Sequence, residues 1–424
     1  MTARYDRRQI YKYSLSLMNV RVLYERITLN RLTTCYTIAV LISCVVLISL
    51  QAVTFVDNSQ AITRLTPIVR GPNVPTGIPI ELGDHKLFIC PSLYDQTAKS
   101  CRLIVDFATN VQTPPALSNV LPESCVISLM YLDDIVHNAR REDVVTFVFQ
   151  LWMLGVSLFA IIAQSIPHIS AVFLGHVLGT IWSAYRLAST TSMRTFYQAN
   201  MVPKACGGVD VVGNWWNVRI GHDIATTVLN ILVLQIISFL SFKLYNIYTS
   251  QTRARVAASP QVYSAYKFFL LFAAVLQLSV FYALASTGMW IDKVSHAPLK
   301  QLATHSTLYL AGFIVSLIFQ VPWLLFGWTT IRYEGRILFL AFLGISGGLL
   351  ILFTVIFFSH IYLYTFVSWP FFGAMTMTSY VLLVLTTVLA VICRLKFGQG
   401  LAEFLNAKEE LEAADFTPVD FQYF

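Results

Sequence analysis

The amino-acid sequence predicts an all-α polytopic membrane protein with eight transmembrane helices and a small extracytoplasmic domain between the first two helices. Its 424 residues are 56% hydrophobic and only 12% charged, whereas soluble proteins contain about 25% charged residues. The apolar residues form repeated runs near the length, about 20 residues, that crosses a hydrocarbon core of roughly 30 Å. Because lipid offers the backbone no hydrogen bonds, such runs are expected to be helical.

The eight predicted spans differ in strength, and the third is the weakest because it is short and contains Gly175, His176 and Gly179. Pro167 and His168 alone separate it from the second span, so these two spans are expected to form a tight hairpin. The seven spans after the first make up the predicted bundle, residues 144–394. In chain order the predicted spans are residues 34–56, 144–166, 169–185, 224–245, 263–289, 305–328, 337–359 and 369–394.

Basic residues near the span ends predict the orientation of the chain. The N-terminal segment, residues 1–33, carries seven Lys and Arg residues, which favour the cytosol. Eight crossings also place the basic loop Lys243–Lys267 in the cytosol, whereas omission of the third span would place it outside. We therefore predict eight spans with both termini cytosolic, and we expect the plasma membrane as the location. The basic residues flank spans instead of forming a patch, which argues against nucleic-acid binding.

The cysteines provide a second indication of sidedness. An even number of cysteines in an oxidising compartment predicts disulfides, and four cysteines fall on the predicted outer side. One candidate pairing joins Cys90 to Cys101 and Cys125 to Cys206, but three connectivities remain open, and free buried thiols are the alternative. The other cysteines, in or near the membrane, are Cys35, Cys44 and Cys393.

Three segments outside the spans carry structural predictions. Residues 57–143 are rich in Pro and Gly and contain β-like runs at Lys86–Ile89 and Arg102–Phe107, which predicts an extracytoplasmic domain of short strands and turns. The loop Arg186–His222 is half apolar and aromatic, which is typical of a segment at the lipid headgroups. The cytosolic tail, residues 395–424, is predicted to begin with an amphipathic helix along the inner leaflet.

Short motifs follow one another in the second half of the chain. They are residues 205–210 (ACGGVD), 289–292 (MWID), 303–305 (ATH), 321–323 (VPW) with 327–328 (GW), and 393–401 (CRLKFGQGL). Together they resemble a family of uncharacterised multi-spanning membrane proteins from basidiomycete fungi. The resemblance covers about residues 200–405 and implies a fungal membrane protein, without an established activity.

Motifs of the common enzyme classes are missing from the sequence. It contains no Walker loop, dinucleotide-binding glycine fingerprint, nucleophile elbow or His-Glu-x-x-His zinc motif. We therefore favour a protein that is not an enzyme, and the sequence names no cofactor.

The leading candidate site is a set of His and Asp residues that share one predicted depth near the outer boundary of the membrane. Imidazole and carboxylate groups are the usual ligands of zinc-like metals. The same groups bind small polar ligands or respond to protons. The alternative is that they are solvated or capping residues at helix ends. The candidates, at the outer ends of the fourth to seventh spans, are His222, Asp223, Asp292, His296, His305 and His360.

A further candidate, His176, lies in the middle of the third span. A polar side chain at that depth usually faces the bundle interior and marks function, but a hydrogen bond to a neighbouring helix would explain it equally well. Four glutamines in the spans are predicted either to join helices or to line a polar path: Gln164, Gln235, Gln277 and Gln320. Three glycines in the seventh span are predicted to permit close helix packing: Gly344, Gly347 and Gly348.

Three functions are compatible with this layout. The lead hypothesis is a receptor- or sensor-like protein that contacts the bilayer and binds a small molecule or a proton on its outer face. The first alternative is a transporter or channel, although the span centres lack the charged residues that ion-coupled transporters carry. The second alternative is an intramembrane metal-dependent hydrolase, which requires three of the outer His and Asp residues around one metal. The oligomeric state is left open.

Overall fold

The structure, a computed structural model, describes residues 24, 26–70, 78–81, 86–90, 101–108, 121–255, 260–295, 306–403 and 405. In chain order its main elements are α1 (Arg31–Val69), β1 (Ile78–Glu81), β2 (Lys86–Cys90), β3 (Arg102–Asp106), α2 (Glu123–Ile162), α3 (Ile166–Phe196), a π-helix (Tyr197–Ala205), α4 (Trp215–Arg255), α5 (Pro260–Ser295), α6 (Ser306–Arg332), α7 (Arg336–Phe357), α8 (His360–Ser368) and α9 (Pro370–Leu395). Of these helices, α1 to α7 and α9 are long and apolar enough to cross a membrane. The predicted fold class and the number of spans are therefore confirmed.

The third predicted span is a long helix, α3, which follows a tight turn from α2. Gln164 adopts a positive φ of 45° in that turn. A Cβ atom added at Gly175 of α3 would lie 2.5 Å from the Met153 Sδ atom on α2. The glycine that weakened the sequence signal therefore allows the close approach of α2 and α3.

Two of the spanning helices extend far beyond a bilayer. α1 has 39 residues and α2 has 40, which at 1.5 Å per residue makes each about 60 Å long, against a hydrocarbon core of roughly 30 Å. The prediction that residues 57–143 consist of strands and turns is therefore wrong at both ends, because 57–69 continue α1 and 123–143 belong to α2. Its β-like runs are confirmed as β2 and β3. The search for long apolar runs in the sequence misses these extensions of α1 and α2. The extensions pack against protein and not lipid, so they need no continuous run of apolar residues.

The helix extensions and the sheet form a small unit with its own hydrophobic core. We call it the disulfide unit, and the end of the helical bundle that carries it the disulfide end. Its strands pair antiparallel in the order β1-β2-β3. Its core combines α1, α2, the sheet, the π-helix and the start of α4, and includes Leu65, Leu87, Ile127, Leu132, Met201 and Trp216.

Two disulfides hold this unit together. Cys90–Cys101 joins β2 to the residue before β3, and Cys125–Cys206 joins the first turn of α2 to the end of the π-helix. These are the candidate pairs considered from the sequence. Near the second disulfide, the Ser124 hydroxyl donates a hydrogen bond of 2.9 Å to the backbone carbonyl of Ala205. The π-helix is therefore attached to α2 covalently and by hydrogen bonding.

The loop predicted over Arg186–His222 is mostly helical. α3 continues to Phe196, the π-helix follows, and α4 begins at Trp215, so residues 206–214 alone connect the elements. Tyr197 and Trp216 are 1% and 2% exposed in the core of the disulfide unit. The prediction of a headgroup segment is therefore wrong for these aromatic side chains, because burial against protein removes more of their surface from water.

Two packing predictions at the other end of the bundle need correction. Leu401 lies in the tail segment that was predicted to form an amphipathic helix along the inner leaflet, but it is 2% exposed and belongs to the bundle core. The tail after residue 405 lies outside the described residues. No atom of the described residues lies within 4 Å of a Cβ atom added at Gly344, Gly347 or Gly348, so the predicted close packing is not found there. The close approach is made by Gly327 of α6, where a Cβ atom would lie 2.8 Å from Phe342 Cε2 of α7.

Candidate functional site

Five charged side chains from α2, α3 and α4 meet at the disulfide end of the bundle. We call them the Asp143 cluster: Glu142, Asp143, Arg186, Arg219 and Asp223. Arg186 Nη2 donates to Asp143 Oδ1 at 2.6 Å and lies 3.6 Å from Asp223 Oδ1. Arg219 lies 3.3 Å from both carboxylates, through Nη1 to Asp143 Oδ2 and Nε to Asp223 Oδ2. The side chains are 0–13% exposed, so their charges are compensated mainly by one another.

α1 completes the hydrogen bonding of Asp143. Thr54 Oγ1 and Asn58 Nδ2, one helical turn apart, donate to the two oxygens of this carboxylate at 3.1 and 2.6 Å. Together with Arg186 and Arg219 they present four donors, which matches the roughly four lone-pair positions of a carboxylate. Asp143 is therefore the point at which α1, α2, α3 and α4 are joined.

A second polar group lies on the adjacent face of α2, against α5. We call it the Lys293 cluster: Asp134, Asn138, Arg141, Asp292 and Lys293. Lys293 Nζ donates to both oxygens of Asp134 at 2.8 and 2.7 Å and to Asn138 Oδ1 at 3.0 Å. Arg141 donates to Asp292 Oδ2 at 2.6 Å and to Asn138 Oδ1 at 3.0 Å. Two carboxylates thus balance two cations in this cluster.

Trp369, between α8 and α9, connects the two clusters. Its indole Nε1–H donates to Glu142 Oε1 at 2.7 Å. Lys293 Nζ and Arg141 Cζ lie 5.6 and 6.0 Å from its ring centroid, within the range of cation–π attraction. The polar network therefore extends from α1 to α9 across the disulfide end.

The substitution Trp369→Phe is expected to lower the free energy of unfolding by about 1.5–3 kcal/mol, because it removes a hydrogen bond to a buried carboxylate. Trp290→Phe is the matched control, since Trp290 is 1% exposed and its indole N–H has no hydrogen-bond partner among the described residues. Denaturant titration of both purified variants in detergent provides the comparison. An equal loss of stability in the two variants would contradict the contribution of the Glu142 hydrogen bond.

The structure separates the predicted site residues instead of bringing them together. His222 Nδ1 pairs with Asp57 Oδ2 at 2.7 Å, while Asp223 belongs to the Asp143 cluster and Asp292 to the Lys293 cluster. His296 and His305 lie outside the described residues, and of His360 only the helix position is described. Within the described ranges no three His, Cys, Asp or Glu side chains are grouped so that they could hold a metal.

His176 is buried in α3, with 5% exposure, and its Nε2 atom has no hydrogen-bond partner in the described part of the chain. The explanation that this atom bonds a neighbouring helix is therefore not supported. The neighbouring His168 behaves differently, because its ring bonds Ser165 Oγ at 2.6 Å and Gln277 Nε2 of α5 at 2.8 Å. For Gln277 the predicted role of joining helices is confirmed.

Asp143, Arg186 and Arg219 were missed as site residues from the sequence. They fall at the edges of the apolar runs, where charged residues are ordinarily read as solvated span ends. One available signal was the spacing of Arg219 and Asp223, four residues apart, which puts both on one helix face. Arg219 lies 76 residues from its partner Asp143 on α2, and Asp223 lies 33 residues from its partner Thr190 on α3. No local sequence pattern reveals contacts at such separations.

A small cavity of about 30 Å³ lies beside the Asp143 cluster, and residues of α1, α2, α3, α4, α5 and α9 line it. This is room for about two water molecules. Its polar wall includes Gln51, Ser183, Arg186, Asp223, Thr226 and Asn230. Its aromatic wall includes Phe149, Trp182, Phe281 and Phe371.

The fold and composition define the class of this protein: an integral membrane protein with eight spanning helices and a disulfide-bearing unit, in contact with the lipid bilayer. No protein-family model, curated protein or solved structure matches the chain. The resemblance to the basidiomycete family therefore stays a prediction. Function has to be inferred from the geometry of the polar network and its cavity.

Proposed function

We propose that this membrane protein is receptor- or sensor-like and binds a small polar ligand in the cavity beside the Asp143 cluster. One observation carries the proposal: charged, polar and aromatic side chains together line one cavity beside a buried group of charges. Buried charges near a membrane are costly and usually mark functional positions. A cavity at such a position is a favoured place for a ligand.

The aromatic rings distinguish binding from passage through the bundle. Phe149 lies about 9 Å along α2 from Asp143, away from the disulfide end. Its ring centroid is 5.1 Å from that of Phe281, and Phe281 is 4.9 Å from Trp152. Trp182 continues the layer from α3, with its centroid 4.8 Å from that of Tyr282. A ligand that enters the cavity therefore meets a packed layer, which favours a sensor over a transporter or channel.

The size of the cavity restricts the ligand. Pockets for drug-sized molecules usually enclose about 300–1,000 Å³, and this cavity encloses about 30 Å³. The ligand is therefore an ion or a molecule of a few atoms. A metal-dependent hydrolase would need an arrangement of three metal ligands, and no observation on the described residues favours one.

The contacts of α4 supply a route from the cavity to the disulfide unit. Asp223 at the cavity accepts a hydrogen bond from Thr190 Oγ1 at 2.9 Å, and the adjacent His222 pairs with Asp57 of α1. Trp215 at the start of α4 donates to the backbone carbonyl of Asp57 at 3.0 Å. A ligand that moves Asp223 would therefore displace the contacts between α4 and the extension of α1.

The orientation that suits this function places the disulfide end outside. The two disulfides favour an oxidising compartment. The basic residues Lys243, Arg332 and Lys396 lie in or just after the halves of their helices that point away from the disulfide end. We infer that both termini are cytosolic and that the plasma membrane is the location. Chemical labelling of Lys243 from outside intact cells would contradict this orientation.

Hydrogen exchange of the purified protein tests the function. The probes are sodium chloride, ammonium chloride and a pH step from about 7.5 to about 5.5, a range that titrates histidine. Exchange is compared as protection factors, which removes the pH dependence of the intrinsic exchange rate. At least one probe is expected to change exchange in residues 179–190 and 219–230, which border the cavity. The change should disappear in Ser183→Leu, which fills the cavity.

Ser279→Leu is the matched control, because Ser279 is 1% exposed on α5 and does not line the cavity. This variant is expected to keep the response of the wild-type protein. If none of the three probes alters exchange in either segment, or if Ser183→Leu responds like the wild-type protein, the proposed function is wrong.

A further inference from the structure

We infer that the ligand of this cavity is a single small alkali cation of about the size of sodium. The inference rests on the proposed function, because it names the ligand class of the same site. Three independent features support it: the formal charge of the neighbouring side chains, the oxygen donors in the cavity wall, and the cavity volume.

The charge beside the cavity favours a monovalent cation. The Asp143 cluster contains three carboxylates, on Glu142, Asp143 and Asp223, and two guanidinium groups, on Arg186 and Arg219. Asp143 and Asp223 balance Arg186 and Arg219, so the formal charge of −1 comes from Glu142 and requires that this carboxyl group is ionised. A single positive charge would neutralise it, whereas an anion would add to the excess, and a divalent ion would reverse it beside two arginines.

The donors in the wall are of the type that hard cations prefer. Oxygen atoms of carboxylate, hydroxyl and amide groups are the usual ligands of such ions, and Asp223, Ser183, Thr226, Gln51 and Asn230 supply all three types. Asp223 Oδ1 lies 3.6 Å from Arg186 Nη2, beyond hydrogen-bond distance. This oxygen therefore retains lone pairs for a cation.

Thr226 provides the most specific observation. It is 6% exposed, lines the cavity, and its Oγ1 atom has no hydrogen-bond partner among the described residues. The next residue, Thr227, instead donates to the backbone carbonyls of Asp223 and Ser183 at 2.8 and 3.1 Å. Buried hydroxyl groups are normally satisfied, and coordination of a cation would satisfy the Thr226 oxygen.

The cavity volume sets an upper limit on the size of the ion. About 30 Å³ accommodates roughly two water molecules, which is enough for one alkali ion with a water in its coordination shell. An organic cation such as choline is too large for it. Sodium and choline chloride therefore form a matched pair of salts with equal charge and ionic strength.

The test uses the purified full-length protein in detergent, with choline chloride replaced stepwise by sodium chloride. Sodium is expected to raise the thermal unfolding midpoint with a saturable dependence on concentration, as a ligand of the folded state does. Thr226→Val should weaken the apparent affinity for sodium about fivefold, the ratio expected for loss of one neutral ligand worth roughly 1 kcal/mol.

Thr287→Val is the control, because Thr287 is 1% exposed on α5, its hydroxyl has no hydrogen-bond partner in the described ranges, and it does not line the cavity. It should keep the wild-type affinity for sodium. Equal stabilisation by sodium and choline, or equal sodium affinity in the two threonine variants, would overturn the inference.

The two proposals fail in different ways. If sodium does not stabilise the protein but the pH step or ammonium changes hydrogen exchange at the cavity, the cation inference is overturned and the sensor function stands. If sodium stabilises the protein saturably but no probe changes hydrogen exchange, the cation site stands and the sensor function is wrong.

Discussion

Replacement of Asp143 by alanine is expected to lower the free energy of unfolding by about 3–5 kcal/mol, because it leaves two buried guanidinium groups without their main partner. The Asp143 side chain is 0% exposed and accepts from Arg186, Arg219, Thr54 and Asn58. Denaturant unfolding in detergent, followed by far-UV circular dichroism, measures the loss.

Glu123→Ala on the same helix is the control for Asp143→Ala. Glu123 pairs with Arg102 at the surface, where the side chains are 55% and 60% exposed. Exposed ion pairs contribute about 0–1 kcal/mol, so this variant should be nearly neutral. Similar losses for Asp143→Ala and Glu123→Ala would contradict a structural role for the buried charge.

A double substitution separates the charge of Asp143 from its shape. Asp143→Asn keeps the side-chain volume but removes the negative charge that faces Arg186 and Arg219. Arg219→Met removes one of the two guanidinium groups that have lost this partner, so the double variant is expected to be more stable than the sum of the single losses predicts, by about 0.5–3 kcal/mol. Additive losses would show that the two side chains do not interact.

Removal of the Cys125–Cys206 disulfide by a double alanine substitution is expected to cost about 2–4 kcal/mol. The bridge closes a loop with a sequence separation of 81, for which chain entropy alone gives about 4.5 kcal/mol in a soluble protein. In a membrane the loss is smaller, because α2 and α3 remain inserted after unfolding and already hold both ends of the loop on one side.

The Cys90–Cys101 pair provides the comparison within the same unit. Its sequence separation is 11, for which chain entropy gives about 3 kcal/mol or less, and both cysteines lie in one small sheet region. Unfolding of the two double-alanine variants, each measured against the wild-type protein, should show the larger loss for Cys125–Cys206. A larger loss for Cys90–Cys101 would indicate that α2 and the π-helix hold together without their disulfide.

The membrane class and the number of spans were predictable because each span is a local property. A run of about 20 apolar residues has one stable conformation in lipid, whatever the rest of the chain does. Even the weak third span was recovered, since the basic loops required an even number of crossings. The β-like runs at residues 86–89 and 102–107 were recovered for the same reason, as alternation is local.

The limits of helices were less predictable than their existence. Thr54, Asn58 and Asp143 are polar residues close to the predicted end of the first span at residue 56 and the predicted start of the second span at residue 144. In the structure they face one another within continuing helices, α1 and α2. Such residues remain helical because groups on a neighbouring helix form hydrogen bonds with their side chains. The sequence of one helix does not reveal those partners.

The sequence by itself determined that the chain has eight membrane-spanning helices. It also determined that four cysteines lie at the opposite ends of these helices from the basic loops. Only the tertiary structure decided that Asp143, Arg186, Arg219 and Asp223 form one buried group, and that His222 and Asp292 have separate partners. Apolar length and charge asymmetry act on each segment alone, against lipid and water. Ion pairing depends on which faces of distant helices meet, and the packing of the whole bundle settles that.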